Sequence, residues 1–250
     1  MDGTIPSQLA RLTSLITTFQ FSNNAINGRI PTEIGRLTKF SGEFYLSQNS
    51  FSGTIPTEMG ILSEMVWGFE LNQNSFSGAI PTQFGLMSNI LEGYLNQNSF
   101  SGAIPTQFGL MSKIYSAYSL NSNLLSGTLP TQFGLQTLRV AGMNFYSNSL
   151  TGAIPSQFGG LTKMATDLCL DSNLLSDVIP TQLGALTAIN YNFHLDSNSL
   201  PGSIPTQLGL ISNIQSNYGL HSNLLNGTLP TQFGLQTLRT ADMNFYSNSL

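Results

Sequence analysis

Residues 44–60 read FYLSQNSFSGTIPTEMG, and this pattern recurs through almost the whole 250-residue chain. Ten units follow one another at a spacing of 25 residues, except that the unit beginning at Gly78 is one residue shorter. We number each unit from the glycine of its Gly-x-Ile-Pro or Gly-x-Leu-Pro motif, so that Gly53 is position 1. A fixed period of roughly 20–50 residues is typical of a solenoid. Each unit of a solenoid buries its apolar side chains only against its neighbours.

Two short strands and one short helix are predicted in each unit. Positions 17 and 19 are apolar, as at Phe44 and Leu46, and they alternate with polar residues at positions 16, 18 and 20. This period of two is typical of a half-buried strand. A second strand is expected around position 24, and the proline at position 4 ends it because proline has no N–H to donate. Apolar residues at positions 7, 10 and 13 favour a short 3₁₀ or irregular helix.

Position 22 is an asparagine in every unit. A side-chain amide both donates and accepts hydrogen bonds, which suits a bend where the backbone leaves a strand. The column therefore predicts a ladder of buried amides with a structural role. Its members are Asn24, Asn49, Asn74, Asn98, Asn123, Asn148, Asn173, Asn198, Asn223 and Asn248.

These residues resemble the plant-type leucine-rich repeat family, whose pattern is LxxLxxLxLxxNxLxGxIPxxLG, over the whole chain. The resemblance implies one α/β, β-dominant solenoid over residues 1–250. It would be a right-handed curved superhelix with a parallel sheet on the concave side and short 3₁₀ or irregular helices on the convex side. The family mostly binds proteins, peptides or glycans as receptor ectodomains and enzyme inhibitors, and a few members bind ice. The resemblance thus implies a non-catalytic protein without a cofactor, located outside the cell or at its surface.

Two features depart from the family pattern. Nine units carry one extra residue before the first strand, which we expect to lengthen the strand or form a bulge. The short unit lacks it, so Gly93 or Tyr94 is predicted to occupy the core position, with a local irregularity. The paired cysteines that usually cap such solenoids are absent. Uncapped ends expose strand edges, which predicts either a fragment or end-to-end self-association as a filament subunit.

A longer repeat is superimposed on the short one. Residues 128–139 recur as 228–239 and residues 143–148 recur as 243–248, which indicates that a block of four units was duplicated. In both copies a glutamine, Gln136 or Gln236, replaces the usual helical leucine. We expect local repacking of the convex side at these two positions.

Composition excludes several classes of protein. Charged residues make up 8% of the chain and the net charge is −4, with 8 scattered basic residues, so nucleic acid is not an expected partner. No apolar run approaches the ~18 residues that a membrane helix needs, and no signal peptide is recognised at the N-terminus. No phosphate-binding glycine loop, nucleophile elbow or metalloprotease motif is present, which predicts no enzymatic activity.

Outward-facing positions 16, 18 and 20 define what we call the concave face. No lysine or arginine occupies these positions, whereas carboxylates, histidines and tyrosines do. The candidate ligand-binding residues are Glu43, Tyr45, Glu70, Tyr94, Asp167, Asp171, His194, Asp196, His221, Asp242 and Tyr246, with Glu92 expected close by. The basic residues are predicted on the helical side or at position 2, namely Arg11, Arg36, Lys39, Lys113, Arg139, Lys163, Arg239 and Arg29.

An acidic face with aromatic residues suits a cationic or hydroxyl-rich partner, which would be a protein, a peptide or a glycan. The alternative is that the carboxylates only keep the sheet solvated. We therefore predict a non-catalytic recognition scaffold that contacts its partner through the concave face.

One cluster on this face has a second interpretation. Asp171, Asp196 and His221 share position 20 in three successive units, and His194 lies two residues before Asp196. Carboxylate and imidazole groups are suitable ligands for zinc or another divalent cation, so these four residues form a weak candidate metal site. Solvated polar surface is the main alternative. Glycoside hydrolysis is disfavoured because an open sheet gives little shelter to a reacting bond.

The outer row of the second strand is a rival surface. Positions 23, 25 and 2 hold mostly serine, threonine and alanine, as at Ser50, Ser52 and Thr54, and position 5 adds a threonine column. Small hydroxyl and methyl groups repeated in straight rows at ~4.8 Å could order water, which makes ice binding the competing hypothesis. Leucines such as Leu124 interrupt the rows.

Two single residues complete the predictions. Trp67 lies in the inserted segment, and we interpret it as filling space there rather than contacting a ligand. Cys169 is the only cysteine, so no internal disulfide can form. It lies at position 18, which predicts a solvent-facing thiol whose acidic neighbours make it unreactive.

Overall fold

Each unit forms one turn of a solenoid that contains two short strands and one 3₁₀ helix. The computed structural model describes residues 1–111, 113–135, 142–235 and 242–250. The repacking predicted at Gln136 and Gln236, and the placement predicted for Arg139 and Arg239, lie outside these residues. No helix within the described ranges is long and apolar enough to span a bilayer.

The first strands of the units form one parallel sheet in chain order, and this sheet carries the concave face. Its register advances by one whole unit from strand to strand, so that Phe19 pairs with Phe44 and Phe44 with Phe69. Numbered with all strands in chain order, its members are β2 (Thr18–Gln20), β4 (Glu43–Tyr45), β6 (Gly68–Glu70), β8 (Glu92–Tyr94), β10 (Ala117–Ser119), β12 (Gly142–Asn144), β14 (Asp167–Cys169), β16 (Asn192–His194), β18 (Asn217–Gly219) and β20 (Asp242–Asn244).

The second strands pair in parallel on a neighbouring side of the solenoid. They form an eight-stranded sheet from β1 to β15 and a separate pair of β17 with β19. These strands are β1 (Asp2–Thr4), β3 (Ala25–Gly28), β5 (Ser50–Gly53), β7 (Ser75–Gly78), β9 (Ser99–Gly102), β11 (Leu124–Thr128), β13 (Ser149–Gly152), β15 (Leu174–Leu175), β17 (Pro201–Gly202) and β19 (Leu224–Leu225).

The break in the second sheet coincides with two departures from the repeat, Asp177 at position 1 and, in the next strand, Pro201, which has no N–H to donate. Position 1 adopts a positive φ wherever it is glycine, for example +76° at Gly78, and this region favours glycine because it has no Cβ. A Cβ at Gly78 would also lie 2.8 Å from the Thr54 side chain of the preceding unit. Asp177 replaces this glycine in one unit and does not adopt a positive φ. The second strand of that unit is only two residues long, and the eight-stranded sheet ends with it.

A five-residue 3₁₀ helix follows each proline at position 4. Each places its third residue inward, as at Ile34, and the apolar residues at positions 10 and 13, such as Leu37 and Phe40, are also buried. The predicted helical side is therefore confirmed. The helices are Ser7–Arg11, Thr32–Arg36, Thr57–Ile61, Thr82–Leu86, Thr106–Leu110, Thr131–Leu135, Ser156–Gly160, Thr181–Ala185, Thr206–Leu210 and Thr231–Leu235.

The core lies between the sheets and the helices, and the short unit keeps its place in it. Gly93 occupies the inward position of β8 and pairs with Phe69 on one side and Tyr118 on the other. The ring of Phe69 fills the space, since a Cβ at Gly93 would lie 3.2 Å from Phe69 Cζ. Of the two residues predicted for this core position, Gly93 occupies it and Tyr94 does not, and the ladder continues in register without the predicted irregularity.

The asparagine column forms the predicted amide ladder. Asn49 Nδ2 donates to Leu46 O at 3.1 Å and to Phe21 O of the preceding unit at 2.9 Å. Its Oδ1 accepts from Ile26 N at 3.0 Å. Each amide thus joins two successive units at the bend after the first strand. The residue before it, such as Gln48, has a left-handed φ of 56°, which no pattern of residue types predicted.

Candidate functional site

The predicted binding residues lie on or just beyond the outward side of the first-strand sheet, and they fall into two groups. The N-terminal cluster comprises Glu43, Tyr45, Glu70, Glu92 and Tyr94 on β4, β6 and β8. The C-terminal cluster comprises Asp167, Asp171, His194, Asp196, His221 and Tyr246. Asp242 lies at the start of β20 and is exposed. The strands between the clusters present uncharged residues, including the buried Ser119 and Asn121.

Three carboxylates surround Tyr45 in the N-terminal cluster. Its hydroxyl donates to Glu92 Oε1 at 3.0 Å. Burial raises the pKa of Tyr45, and the hydrogen bond to Glu92 and the charges of Glu92, Glu43 and Glu70 raise it further. Burial also raises the pKa of Glu92, with a smaller contribution from the charge of Glu70. The cluster therefore concentrates negative charge that no cation within the described residues balances.

The C-terminal cluster is organised around one buried carboxylate. Asp196 is 6% exposed, and its Oδ1 lies 3.1 Å from His194 Nδ1 while its Oδ2 lies 3.3 Å from His221 Nε2. The imidazole of His221 also stacks on Tyr246, with ring centroids 4.3 Å apart. Gly219 makes room for this arrangement, because a Cβ there would lie 2.3 Å from Asp196 Oδ1.

The two ionisable partners stabilise each other's charged forms. Burial alone would lower the pKa of His194, but the hydrogen bond to Asp196 and the charges of three aspartates outweigh it and raise this pKa. Burial alone would raise the pKa of Asp196, but the two histidines outweigh it and the pKa is lowered. Burial, followed by the charge of Asp196, raises the pKa of Asp171.

The weak metal candidate does not have the geometry of a metal site. Within the described ranges, no group of three or more histidine, cysteine, aspartate or glutamate side chains is placed to hold a metal ion. His194, Asp196 and His221 are instead directed at one another, and Asp171 contacts Ser172 at 3.4 Å. The arrangement is that of two histidines that share one carboxylate.

One prediction on this face is wrong and one residue was missed. Cys169 is 7% exposed rather than solvent-facing, and it lines a shallow depression of about 330 Å³. Burial, followed by the charges of Asp167, Asp171 and Asp196, raises the pKa of its thiol. Tyr146 lines the same depression. Tyr146 lies at position 20, so the rule used for the other residues would have found it.

Trp67 is more exposed than its predicted space-filling role implies. The residue is 55% exposed, so much of it faces solvent beside the inserted segment. It lines an open cleft of about 190 Å³ at the side of the concave face, together with Glu43. The segment before a first strand is hydrogen-bonded to the neighbouring unit, for example through Val66 N to Ser41 O at 3.1 Å. The inserted residue does not lengthen the strand, because β6 and the β8 strand of the short unit both span three residues. The predicted lengthening is therefore wrong.

The hydroxyl rows of the second sheet are not straight. Each strand pairs with a register shift of two residues, so that Ser52 lies opposite Ser75 and not opposite Ser77. The shift keeps these side chains on one side of the sheet but staggers equal positions from unit to unit. The expected vertical rows are correct for the first sheet and wrong for the second.

Several solved structures are similar to the chain over nearly its whole length. The plant peptide hormone receptor RGFR1 in complex with RGF2 has a TM-score of 0.86 and 28% identity, covering 99% of this chain and 42% of the receptor chain. The LRR ectodomain of the plant membrane receptor kinase GASSHO1/SCHENGEN3 from Arabidopsis thaliana, in complex with Casparian strip integrity factor 2, has a TM-score of 0.67 and 26% identity, covering 99% of this chain and 34% of that one. This chain therefore spans less than half the length of either.

A plant ice-binding protein has the same fold, with a TM-score of 0.73 and 24% identity over 99% of this chain and 78% of that chain. At this identity the likeness supports the fold alone. No protein-family model matches the chain, and no curated protein matches it.

Proposed function

We propose that this chain, a leucine-rich repeat protein of the plant type, is a non-catalytic recognition scaffold. Its concave face binds a basic peptide, or a protein or glycan with cationic groups, outside the cell or at the cell surface. Two of the similar structures are plant receptors in complex with RGF2 and with Casparian strip integrity factor 2, which makes a peptide or small protein the favoured partner class.

The observation that carries this proposal is the separation of charge on the solenoid. Carboxylates occur in both clusters of the concave face, whereas the described basic residues lie elsewhere. Arg36 and Lys39, for example, are exposed on the helical side. A surface with one sign of charge attracts partners of the opposite sign and orients them during association.

Calorimetric titration with a basic peptide tests this function. The probe is a heptapeptide in which glycine and arginine alternate, and binding is expected to weaken as salt rises because exposed charges are screened beyond ~10 Å at 0.1 M salt. Combining Glu70→Gln with Asp171→Asn removes one charge from each cluster, and we expect about fivefold weaker binding, since exposed ion pairs contribute ~0.2–1 kcal/mol each.

The control variant also loses two negative charges, but on the helical side of the solenoid. Glu58→Gln with Glu64→Gln alters residues outside the concave face and should leave the affinity unchanged. Equal losses in both double variants, or no binding even at low salt, would contradict the proposal.

Ice binding is the second candidate. The second sheet presents exposed serines such as Ser50 and Ser52, and Thr82 and Thr106 at the starts of helices are exposed as well. Because equal positions are staggered by two residues per unit, the hydroxyl groups match the regular spacing of an ice surface less well. If ice binding is the function, thermal hysteresis is measurable and the pair Thr82→Lys and Thr106→Lys abolishes it, whereas the concave-face variant above retains it.

A further inference from the structure

Trp67 is held in a fixed position at the side of the concave face. The residue before it, Val66, accepts from Leu91 N at 2.9 Å and donates to Ser41 O at 3.1 Å, so the segment is hydrogen-bonded to the units on both sides. Gly68 follows it and begins β6. The indole is therefore exposed on a backbone that is already ordered, and a ligand that contacts it would not need to order the segment.

The cleft beside Trp67 has a floor of bare backbone. Gly42 forms part of it, and a Cβ at this position would lie 1.1 Å from Thr17 O, so only glycine permits this close approach. Ile16, with its side chain 52% exposed, and Glu43 complete the cleft of about 190 Å³. An aromatic ring, an apolar side chain and a carboxylate thus line one small space.

The carboxylate in this cleft is free to receive a ligand. Within the described part of the chain, no side-chain donor and no cation pairs with the carboxylate of Glu43. The equivalent place five units later carries Asp167 and Tyr191, but there Asn192 Nδ2 donates to Asp167 Oδ1 at 2.8 Å. Gly68 stands where Asn192 stands, so the N-terminal carboxylate lacks this internal donor.

We propose that the cleft between Trp67 and Glu43 holds one arginine or lysine side chain of the bound partner. This inference rests on the proposed binding of a basic peptide and specifies where one cationic group is recognised. A cation against an indole face gains attraction from the ring quadrupole, and a guanidinium stacks on the ring while it donates to the carboxylate. Arginine should therefore bind more tightly than lysine at this place.

The intrinsic fluorescence of the chain tests the proposal directly, because Trp67 is its only tryptophan. Titration with the glycine–arginine heptapeptide is expected to change the emission, and a matched peptide with neutral citrulline in place of arginine is not. By calorimetry, Trp67→Leu and Glu43→Gln should each weaken binding of the arginine peptide about 2- to 5-fold, the range expected for an exposed cation–π contact and an exposed ion pair. Tyr191→Leu is the matched control and should change binding less than twofold.

The outcomes separate this proposal from the function on which it rests. If the arginine peptide does not bind the unaltered protein, the proposed function itself fails. If the peptide binds and neither Trp67→Leu nor Glu43→Gln weakens it more than Tyr191→Leu does, the function stands and this cleft is overturned as its site. A neutral oligosaccharide is the alternative ligand, and it would change the Trp67 emission to the same extent in the unaltered protein and in Glu43→Gln. That result would overturn the cationic side chain as the ligand of this cleft and indicate a sugar. Far-ultraviolet circular dichroism confirms that each variant is folded.

Discussion

Residues 101–150 recur with substitutions as residues 201–250, and the two copies differ most on the concave face. In the first copy Ser119 and Asn121 are buried and uncharged. In the second copy Gly219 and His221 replace them, and the preceding unit supplies Asp196 as the carboxylate that both histidines contact. A few substitutions at outward positions thus convert a neutral surface into a charged cluster, while the backbone and the asparagine ladder stay the same.

The core of the two copies differs as well. Tyr118 Oη donates to Phe108 O and Met111 O, each at 3.0 Å. Tyr218 occupies the equivalent position and is fully buried, but its hydroxyl has no hydrogen-bond partner among the described residues. The same side chain in the same fold is therefore satisfied in one copy and unsatisfied in the other. The repeat places a tyrosine at the same point of both copies but does not provide a hydrogen-bond acceptor for its hydroxyl in both. The same residue at equivalent positions can therefore contribute differently to stability.

The largest expected effect comes from removing the shared carboxylate. Asp196→Asn should lower the free energy of unfolding by about 2 kcal/mol, since hydrogen bonds to charged groups contribute ~1.5–3 kcal/mol. Urea unfolding measures it. Asn96 holds the corresponding place in the unit before the first copy, where Tyr94 and Asn121 replace the two histidines, and Asn96→Asp should gain no comparable stability. A loss of unfolding free energy below ~0.5 kcal/mol for Asp196→Asn would show that the cluster does not stabilise the fold.

The second prediction concerns the paired tyrosines. Tyr118→Phe removes a donor from two buried carbonyls and should destabilise the chain by about 1–2 kcal/mol. Tyr218→Phe removes an unsatisfied buried hydroxyl and should be neutral or stabilising by up to ~1 kcal/mol. Thermal or urea unfolding of the two variants, measured side by side, compares them. Equal losses would mean that the Tyr218 hydroxyl has a partner.

The third prediction is a dependence of stability on pH. The raised pKa of His194 contributes stability that is complete below its unfolded pKa of ~6.5 and is lost as pH rises through the folded pKa. The lowered pKa of Asp196 contributes stability that is present above ~3.9 and is lost as pH falls through the folded pKa. Stability should therefore be highest between about pH 4 and 6.5 and should decline toward pH 8.

His194→Asn is the control for this pH dependence, because it removes the group whose pKa is raised while the fold is kept. The decline between pH 6 and 8 should become shallower in this variant, as measured by melting temperature in buffers of equal ionic strength. An unchanged slope would assign the pH dependence to groups other than His194.

The smallest expected effect concerns the break in the second sheet. Gly78 and Asp177 hold position 1 in the corresponding units of the two blocks, and only the glycine adopts a positive φ. Asp177→Gly should allow the second strand to continue and should stabilise the chain by a few tenths of a kcal/mol. Slower exchange of the amide hydrogens around Leu175 would support this. An unchanged exchange rate would show that Pro201 in the next unit, not Asp177, ends the sheet.

Much of the concave face could be predicted from the sequence because its rule is simple. The side chains of a strand alternate between two sides, so positions 16, 18 and 20 share a side once the strand is recognised. That rule placed Glu43, His194 and Asp196 correctly on one surface. It could not reveal that Gly219 leaves room for Asp196 between two imidazoles, because this depends on how the atoms of two successive units meet.

The sequence by itself determined the solenoid, the number of its coils and the asparagine ladder, because each follows from a period and from side-chain polarity. Tertiary structure decided the stagger of two residues in the second sheet, the burial of Cys169 and the exposure of Trp67. These features depend on how far one coil is displaced along its neighbour, and that displacement is set by packing between coils, which a repeat of residue types does not encode.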